Sequence, residues 1–399
     1  MLRQVVILVG GKGTRLGRLT ARMPKPLLEV GGRPFLDYLI WHFSRHGLTD
    51  ILLLAGHYGE KIEAHYRDNP IQGADISVLV EPEPMGTAGA LKFARDRLCE
   101  TFILANGDSY FDFNVLALLD GTRDRNWLGK LALRRVDDAG RFGSVQLSDD
   151  GRITSFQEKR GSVGDAALIN GGIYLLRREI ISLVEKMPCS LETDVFPRLA
   201  AEGKLLGQEF YGYFIDIGIP ESFQRAQEEV PDRMRRPAVF FDRDGTLNRD
   251  EGYTHKPEDL EWLPGAPEAI RYCNDRGYYV FVVTNQSGVA RGYYDESAIH
   301  CFHAEMQRQL QTHGAHIDDF AYCPHHPEGV LASYAHACDC RKPQPGMMKE
   351  LVNKWPVALE QSLLVGDKET DMECARKFGV RGFLWTSGNL LEKIEGILK

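Results

Sequence analysis

The chain has 399 residues, which at roughly 150 residues per domain gives two or three domains. Apolar residues make up 43% and charged residues 26%, a globular rather than a disordered composition. The net charge of −8, with neither half basic, excludes a nucleic-acid footprint, and no apolar run approaches the ~18 residues of a membrane span.

The first apolar run, Val5–Val9, reads as a strand and leads into Gly10-Gly11-Lys12-Gly13-Thr14-Arg15. Phe35–Arg45 and Thr87–Leu98 read as helices, and Ile51–Leu54, Ile76–Val80 and Thr101–Leu104 as buried strands. Two prolines among dense charges mark residues 229–237 as a linker. Beyond it, Ala238–Phe241 reads as a strand that leads into Asp242-Arg243-Asp244-Gly245-Thr246. Helices are expected at Ala266–Arg276 and Glu296–Thr312, and strands at Tyr279–Thr284, Phe320–Tyr322 and Ser362–Val365. The expected domains are 1–228 and 238–399. Alternating β and α runs imply an α/β fold of two doubly wound domains, with parallel sheets covered on both faces and ligands at the carboxyl ends of the strands. Met1-Leu-Arg-Gln carries no signal-peptide pattern, so the protein is expected in the cytoplasm, with no membrane and no nucleic-acid partner. A homo-oligomer stays open.

The loop Gly10–Arg15 has glycines that let backbone N–H groups approach a polyphosphate, and Arg15 adds charge. Its spacing fits neither the P-loop nor the dinucleotide fingerprint. Pro24-Lys25-Pro26 then sets a lysine between two prolines. With these residues the first half resembles the sugar-1-phosphate nucleotidyltransferases. The resemblance continues through Glu83–Leu91, Asn106-Gly107-Asp108, Phe156–Lys159, Asn170–Tyr174 and Asp216–Glu221. It departs at Val9, where alanine is usual, and at Ile219, where threonine is common. It implies a Rossmann-like sheet. It also implies nucleotide contacts from Gly10, Gly11, Gly13, Thr14, Arg15, Glu83 and Gly86, with Arg15 and Lys25 supplying fixed positive charge for catalysis. Asp108 and Asp216 would hold Mg²⁺, and Glu158, Lys159 and Asn170 would contact the sugar phosphate.

In the second half, two aspartates two apart after a strand suit a cation site with an adjacent nucleophile. Thr284-Asn285-Gln286-Ser287-Gly288, Arg341-Lys342-Pro343 and Gly366-Asp367 with Asp371 follow in order. This series resembles the phosphatases of the haloacid dehalogenase superfamily, with a Rossmannoid sheet. By that resemblance Asp242 is the nucleophile and Asp244 the general acid and base. Thr284, Asn285 and Lys342 would bind the substrate, and Asp242, Asp244 (through its carbonyl) and Asp367 would hold Mg²⁺.

Eight cysteines are too few for a disulfide scaffold, yet Cys323, Cys338 and Cys340 crowd together beside His325. Three sulfurs and an imidazole make a closed structural zinc set clipping the loop that delivers Arg341 and Lys342. The spacing favours His325 over His326. Cys99, Cys189, Cys273, Cys301 and Cys374 read as core residues.

Heptose 1,7-bisphosphate and histidinol phosphatases share such a clip. Thr284–Gly292, with Ser287 and Arg291, resembles the heptose branch, and Arg291 and Arg341 suit a second phosphate. A phosphatase that yields heptose 1-phosphate beside a nucleotidyltransferase implies consecutive steps toward an activated heptose, with GTP as the expected nucleotide. Two other readings stay open. The halves could serve another sugar, such as mannose 1-phosphate, or histidinol phosphate. One half could be a silent binding module, although both halves carry their full sets of charged catalytic residues.

Overall fold

The computed structural model describes residues 1–398 except 12, 72, 123–125, 138–143 and 158–166. Glu158 and Lys159, expected to contact a sugar phosphate, therefore lie outside the described residues. The chain forms two compact units, Leu2–Asp232 and Arg233–Lys399.

In the first unit the strand Gln4–Leu8 lies between Asp50–Ala55 and Thr101–Asn106, parallel to both, with Asp75–Val80 parallel at the edge. Val5, Val6 and Ile7, with Ile51, Leu52 and Leu53 on the neighbouring strand, are almost wholly buried. A run apolar on both faces is what a central parallel strand requires. The edge strand Asp75–Val80 is only half-buried, where a fully buried strand was expected, because its apolar run has one neighbour instead of two.

The sheet is mixed rather than purely parallel. Ala167–Arg177 runs antiparallel to Thr101–Asn106 and pairs along its length with Gly129–Val136 and Ser144–Leu147. Apolar runs carry no record of strand direction, so the reversal could not be read from them. A separate antiparallel pair, Ser109–Phe111 with Phe214–Asp216, sets Asp216 opposite Ser109.

The second unit is a five-stranded, all-parallel sheet in the order Asp319–Cys323, Tyr279–Asn285, Ala238–Phe241, Leu363–Gly366, Arg381–Leu384. The helix Glu296–Thr312 buries Ile299, Phe302, His303, Met306 and Leu310, one face of a 3.6-residue period. Cys301 falls on its outer side. Cys301 and Cys99 are exposed, against the expectation of core positions, whereas Cys189, Cys273 and Cys374 are buried.

Much of the stretch expected as a linker is helical: the helix Pro220–Met234 runs through Pro231, and the two units divide within it at Asp232 and Arg233. Proline removes the N–H that would bond the carbonyl of Gln227. Contacts of this segment offset that loss. The Gln227 side chain donates to the Glu29 carbonyl at 3.0 Å and accepts from Gly31 N–H at 3.3 Å. The Pro231 ring fills the space where a side chain on Gly31 would stand. After the helix, Arg236 N–H donates to the Pro356 carbonyl at 3.1 Å.

Phe241, on the central strand of the second unit, is wholly buried in the cluster with Val239, Val282 and Val365. Phe241→Ala should destabilise this unit by about 3–5 kcal/mol through lost burial and the cavity left behind. Urea unfolding followed by tryptophan fluorescence should show the loss as a lower midpoint, and an unchanged midpoint would contradict the packing described.

Candidate active sites

In the first unit four parallel strands end at one cleft of about 860 Å³, whose wall includes Gly10, Gly56, Glu81 and Asp108, each from the turn after a different strand. This is where ligands sit in open α/β sheets. Gly86 has a φ of 75°, and a side chain there would collide with the Cys189 carbonyl oxygen. Only glycine lets this part of the wall close.

Lys25, from the turn Lys25–Leu27, is 6% exposed and its Nζ donates to Asp108 Oδ2 at 2.7 Å. The Ser109–Phe111 and Phe214–Asp216 pair carries Asp216 to the same place. Ile217 N–H donates to the Asp108 carbonyl at 2.9 Å, and Ser109 Oγ lies 3.2 Å from Asp108 Oδ1 and 3.5 Å from Asp216 Oδ2. Gly218 N–H donates to Asp216 Oδ1 at 2.6 Å. A Cβ on Gly218 would stand 3.2 Å from Lys25 Nζ and 3.3 Å from an Arg15 guanidinium nitrogen. Burial, reinforced by the Asp108 charge, raises the Asp216 carboxyl above the usual range, against Lys25, the Gly218 N–H and Arg15. Two like charges only partly compensated by Lys25 fit a divalent, oxygen-preferring cation.

In the second unit Asp242 follows the central strand and is 5% exposed. Lys342 Nζ lies 2.6 Å from Asp242 Oδ1 and 2.7 Å from Asp371 Oδ1. Burial pushes the Asp242 carboxyl up to about 7, opposed by Lys342 and reinforced by Asp371. The two carboxylates hold the Lys342 ammonium charged despite its burial. Carboxylate oxygens of Asp242, Asp367 and Asp371 lie within 4.8 Å of one another. Asp367 Oδ1 is buried without a hydrogen-bond partner. Three hard oxygens with one unsatisfied again fit Mg²⁺. A side chain on Gly245, at φ 85°, would meet Asp367 Oδ2 at 2.5 Å.

The Asp244 carboxylate accepts four N–H donors. Arg243 gives two at 2.8 and 2.9 Å, Gln286 one at 2.7 Å and Asn248 one at 3.2 Å. Arg243 is wholly buried over the Phe302 ring, and Tyr294 Oη donates to Gln286 Oε1 at 2.8 Å.

Cys323 ends the strand Asp319–Cys323, and its sulfur lies 3.5 Å from Cys338 Sγ and 3.2 Å from Cys340 Sγ. His325 Nδ1 lies 3.7 Å from Cys323 Sγ and 3.4 Å from Cys340 Sγ. Zn–S bonds of about 2.3 Å set tetrahedral sulfurs about 3.8 Å apart, so the four donors fit zinc with little adjustment. Hydrogen bonding with Cys323, then Cys338 and His325, lowers the Cys340 thiol to about 5. The next residues are Arg341 and Lys342. Lys342 N–H donates to Asn285 Oδ1 at 2.9 Å and Asn285 Nδ2 to the Lys342 carbonyl at 3.1 Å.

Residues 4–233 match the nucleotidyl transferase family and residues 339–394 the HAD-hydrolase-like family. The chain belongs to both. Its second part is 49% identical over 149 residues to a D-glycero-β-D-manno-heptose-1,7-bisphosphate 7-phosphatase of Rhodopseudomonas palustris, covering 37% of this chain and 83% of that protein. Its first part is 34% identical over 236 residues to the D-glycero-α-D-manno-heptose 1-phosphate guanylyltransferase of Aneurinibacillus thermoaerophilus, covering 57% and 98%. A crystal structure of HddC from Yersinia pseudotuberculosis complexed with GMP-PN is 33% identical, with a TM-score of 0.51 over 57% of this chain and 98% of that one.

In the transferase unit Gly10, Gly11, Arg15, Lys25, Glu83, Gly86 and Asp108 line the cleft, whereas Gly13 and Thr14 do not. Gly13, at φ 61°, instead turns the chain into Thr14–Thr20. Asn170 donates to Tyr174 Oη at 2.8 Å, at a register shift of its strand, and stands off the cleft wall. Glu81, His57 and Glu192 line the cleft and were not singled out from the sequence. Glu81 sits two residues before Glu83, inside the same acidic, proline-rich segment, and spacing alone does not tell which carboxylate is enclosed. Glu81 is half-buried and accepts from Met85 N–H at 3.3 Å, whereas Glu83 is exposed.

In the phosphatase unit Asp242, Asp244, Thr284, Asn285, Arg341 and Lys342 meet at a cleft of about 340 Å³. Arg291 is not on its wall. The turn in which Arg291 N–H bonds the Ser287 carbonyl at 3.1 Å leaves Ser287 at the cleft and carries Arg291 past it. Asp371, in sequence only the tail of the Gly366-Asp367 motif, is in the structure the second anchor of Lys342. Among the described residues no helix is long and apolar enough to cross a membrane.

Removing the closed Cys–His set should uncouple Lys342 from Asn285 at the end of the strand Tyr279–Asn285. Cys340→Ser, or extraction with a strong chelator, should lower the phosphatase unit's melting temperature and its turnover together while nucleotidyl transfer persists. Elemental analysis of the native protein should give about one zinc per chain for one closed site. A zinc-free protein with full phosphatase activity would sink the assignment.

Proposed function

We propose that the chain is a bifunctional enzyme of activated-heptose synthesis. The phosphatase unit, residues 238–399, removes the C7 phosphate of D-glycero-D-manno-heptose 1,7-bisphosphate. The transferase unit, residues 1–228, joins GMP from GTP to the resulting heptose 1-phosphate and releases pyrophosphate. The observation that carries this reading is that the two units resemble relatives whose reactions can follow one another, the product of the first being the kind of substrate the second takes.

In the phosphatase unit a carboxylate oxygen of Asp242 attacks phosphorus and the bond to the C7 oxygen breaks. Asp244 gives that oxygen its proton, then takes one from the water that hydrolyses the aspartyl-phosphate. Lys342 and Thr284 steady the phosphoryl oxygens, and Arg341 on the cleft wall holds the C1 phosphate. Mg²⁺ held by Asp242, the Asp244 carbonyl and Asp367 would neutralise charge on the transferring group.

In the transferase unit a phosphate oxygen of the sugar attacks the α-phosphorus of GTP in line, and the bond to the β-phosphate breaks. Arg15 and Lys25 stabilise the developing charge. Mg²⁺ held by Asp108 and Asp216 would supply further neutralisation. Glu81, enclosed and oriented by the Met85 N–H, is better placed than exposed Glu83 to accept from guanine N1–H and the N2 amino group. Burial raises the Glu81 carboxyl, and paired donors from guanine would relieve that burden.

The phosphatase relative is named for the β-anomer and the transferase relative for the α-anomer. Consecutive action on one sugar requires a single anomer, and we assign the α-anomer to both units. Incubation with α- or β-heptose 1,7-bisphosphate and GTP, followed by mass spectrometry, should give GDP-heptose from the α-form. Its absence from both would overturn the reading. Asp242→Asn should abolish phosphate release while transfer to supplied heptose 1-phosphate persists, and Asp108→Asn should do the reverse. Loss of both activities from either substitution would contradict separate sites.

Glu81→Gln should raise the KM for GTP about ten- to a hundred-fold, the scale of one charge-assisted hydrogen bond. Steady-state kinetics with GTP and ATP should show the preference narrowing. An unchanged ratio would return the role to Glu83.

A further inference from the structure

The loop that carries Arg15 is gripped at both ends by one short segment, Gly56–Lys61. At the loop's entrance, Gly10 and Gly56 lie backbone to backbone. A Cβ on Gly56 would stand 3.1 Å from the Gly10 carbonyl oxygen, and one on Gly10 would stand 3.1 Å from Gly56 N. His57 N–H points to the same carbonyl at 3.4 Å. At the exit, Tyr58 Oη donates to the Ala21 carbonyl at 2.7 Å and Lys61 Nζ to the Arg22 carbonyl at 2.5 Å. Lys61 also sits over the Tyr58 ring, 4.5 Å from its centre.

Tyr58 makes this reach from a left-handed backbone, φ 62° and ψ 29°, at the start of the helix Gly59–Asp68. A residue with a Cβ is disfavoured there, and only Tyr58 and Tyr253 adopt a positive φ among the described residues other than glycine. Strained backbone of this kind persists where surrounding contacts over-determine it. Within the loop Leu16 and Thr20 are buried. Arg15, Arg18, Leu19 and Arg22 are exposed, and Gly17 breaks its helical turn at φ 55°. The loop's internal ties are Thr20 Oγ1 to the Gly13 and Gly17 carbonyls, Leu16 N–H to the Gly13 carbonyl and Ala21 N–H to the Arg18 carbonyl.

We propose that Gly56–Lys61 is the clamp that sets the Arg15 loop for nucleotide, with Tyr58 and Lys61 as positioning residues that touch no reacting atom. The inference rests on the reading of this cleft as a nucleoside triphosphate site. The clamp fixes the far end of the loop against the same strand turn that fixes its beginning, so the guanidinium of Arg15 is presented without ordering the loop anew at each turnover.

Limited trypsin digestion of the full chain, without nucleotide and with GTP and Mg²⁺, tests this. Tyr58→Phe removes one hydroxyl and should raise cleavage after Arg15, Arg18 and Arg22 about five-fold, the effect of one hydrogen bond on a local opening equilibrium. Tyr58→Phe combined with Lys61→Met should raise it further and should also raise the KM for GTP several-fold. The KM for sugar 1-phosphate and phosphate release by the other unit should stay unchanged. Cleavage of the double variant at the wild-type rate would overturn the clamp, as would acceleration spread evenly over the whole unit. Faster cleavage in the variants with no protection by GTP in any of the proteins would leave the clamp standing and refute the nucleotide reading instead.

Discussion

A lysine ammonium buried against aspartates is the contact on which each site depends. Lys342 lies between Asp242 and Asp371, and Lys25 lies against Asp108. Removing a carboxylate from water is costly unless a positive charge is fixed beside it. Each lysine makes it tolerable to collect acids at the end of a hydrophobic sheet, beside a cleft. Each also has to be delivered to that place, and much of the surrounding structure serves the delivery.

The two units solve the delivery differently. Lys342 arrives on a long excursion after the strand Asp319–Cys323, and four soft donors gather that excursion close before it in the chain. The reciprocal bonds between Asn285 and the Lys342 backbone then fix its height above the sheet. Lys25 arrives instead on a short turn stiffened by the prolines on either side. Its partner Asp108 is tied to Asp216 by the two-stranded pair that follows the one and ends in the other. A cluster of three thiols and an imidazole gathers the long loop, and local backbone restriction suits the short one.

The second carboxylate of each site behaves in its own way. Asp244 is enclosed by the N–H donors of Arg243, Gln286 and Asn248. Asp216 is enclosed by burial and by the Asp108 charge, which together raise its carboxyl. The same residue type thus stands among N–H donors in one unit and beside a second acid in the other.

The sequence by itself determined the elements and the chemistry-bearing positions. The helices Phe35–Arg45 and Glu296–Thr312 have the bounds their periodicity predicts, and the motifs around Asp108 and Asp242 stand in turns after strands. Periodicity and turn chemistry are local, so a local reading reaches them. Only the tertiary structure decided the antiparallel course of Ala167–Arg177, the helix through Pro231 and the burial of Glu81 rather than Glu83. It alone decided that Arg341 reaches the phosphatase cleft while Arg291 does not, and that Asp371 completes the grip on Lys342. Each of these depends on which segments pack together across long separations, and on which of two neighbouring side chains that packing removes from water.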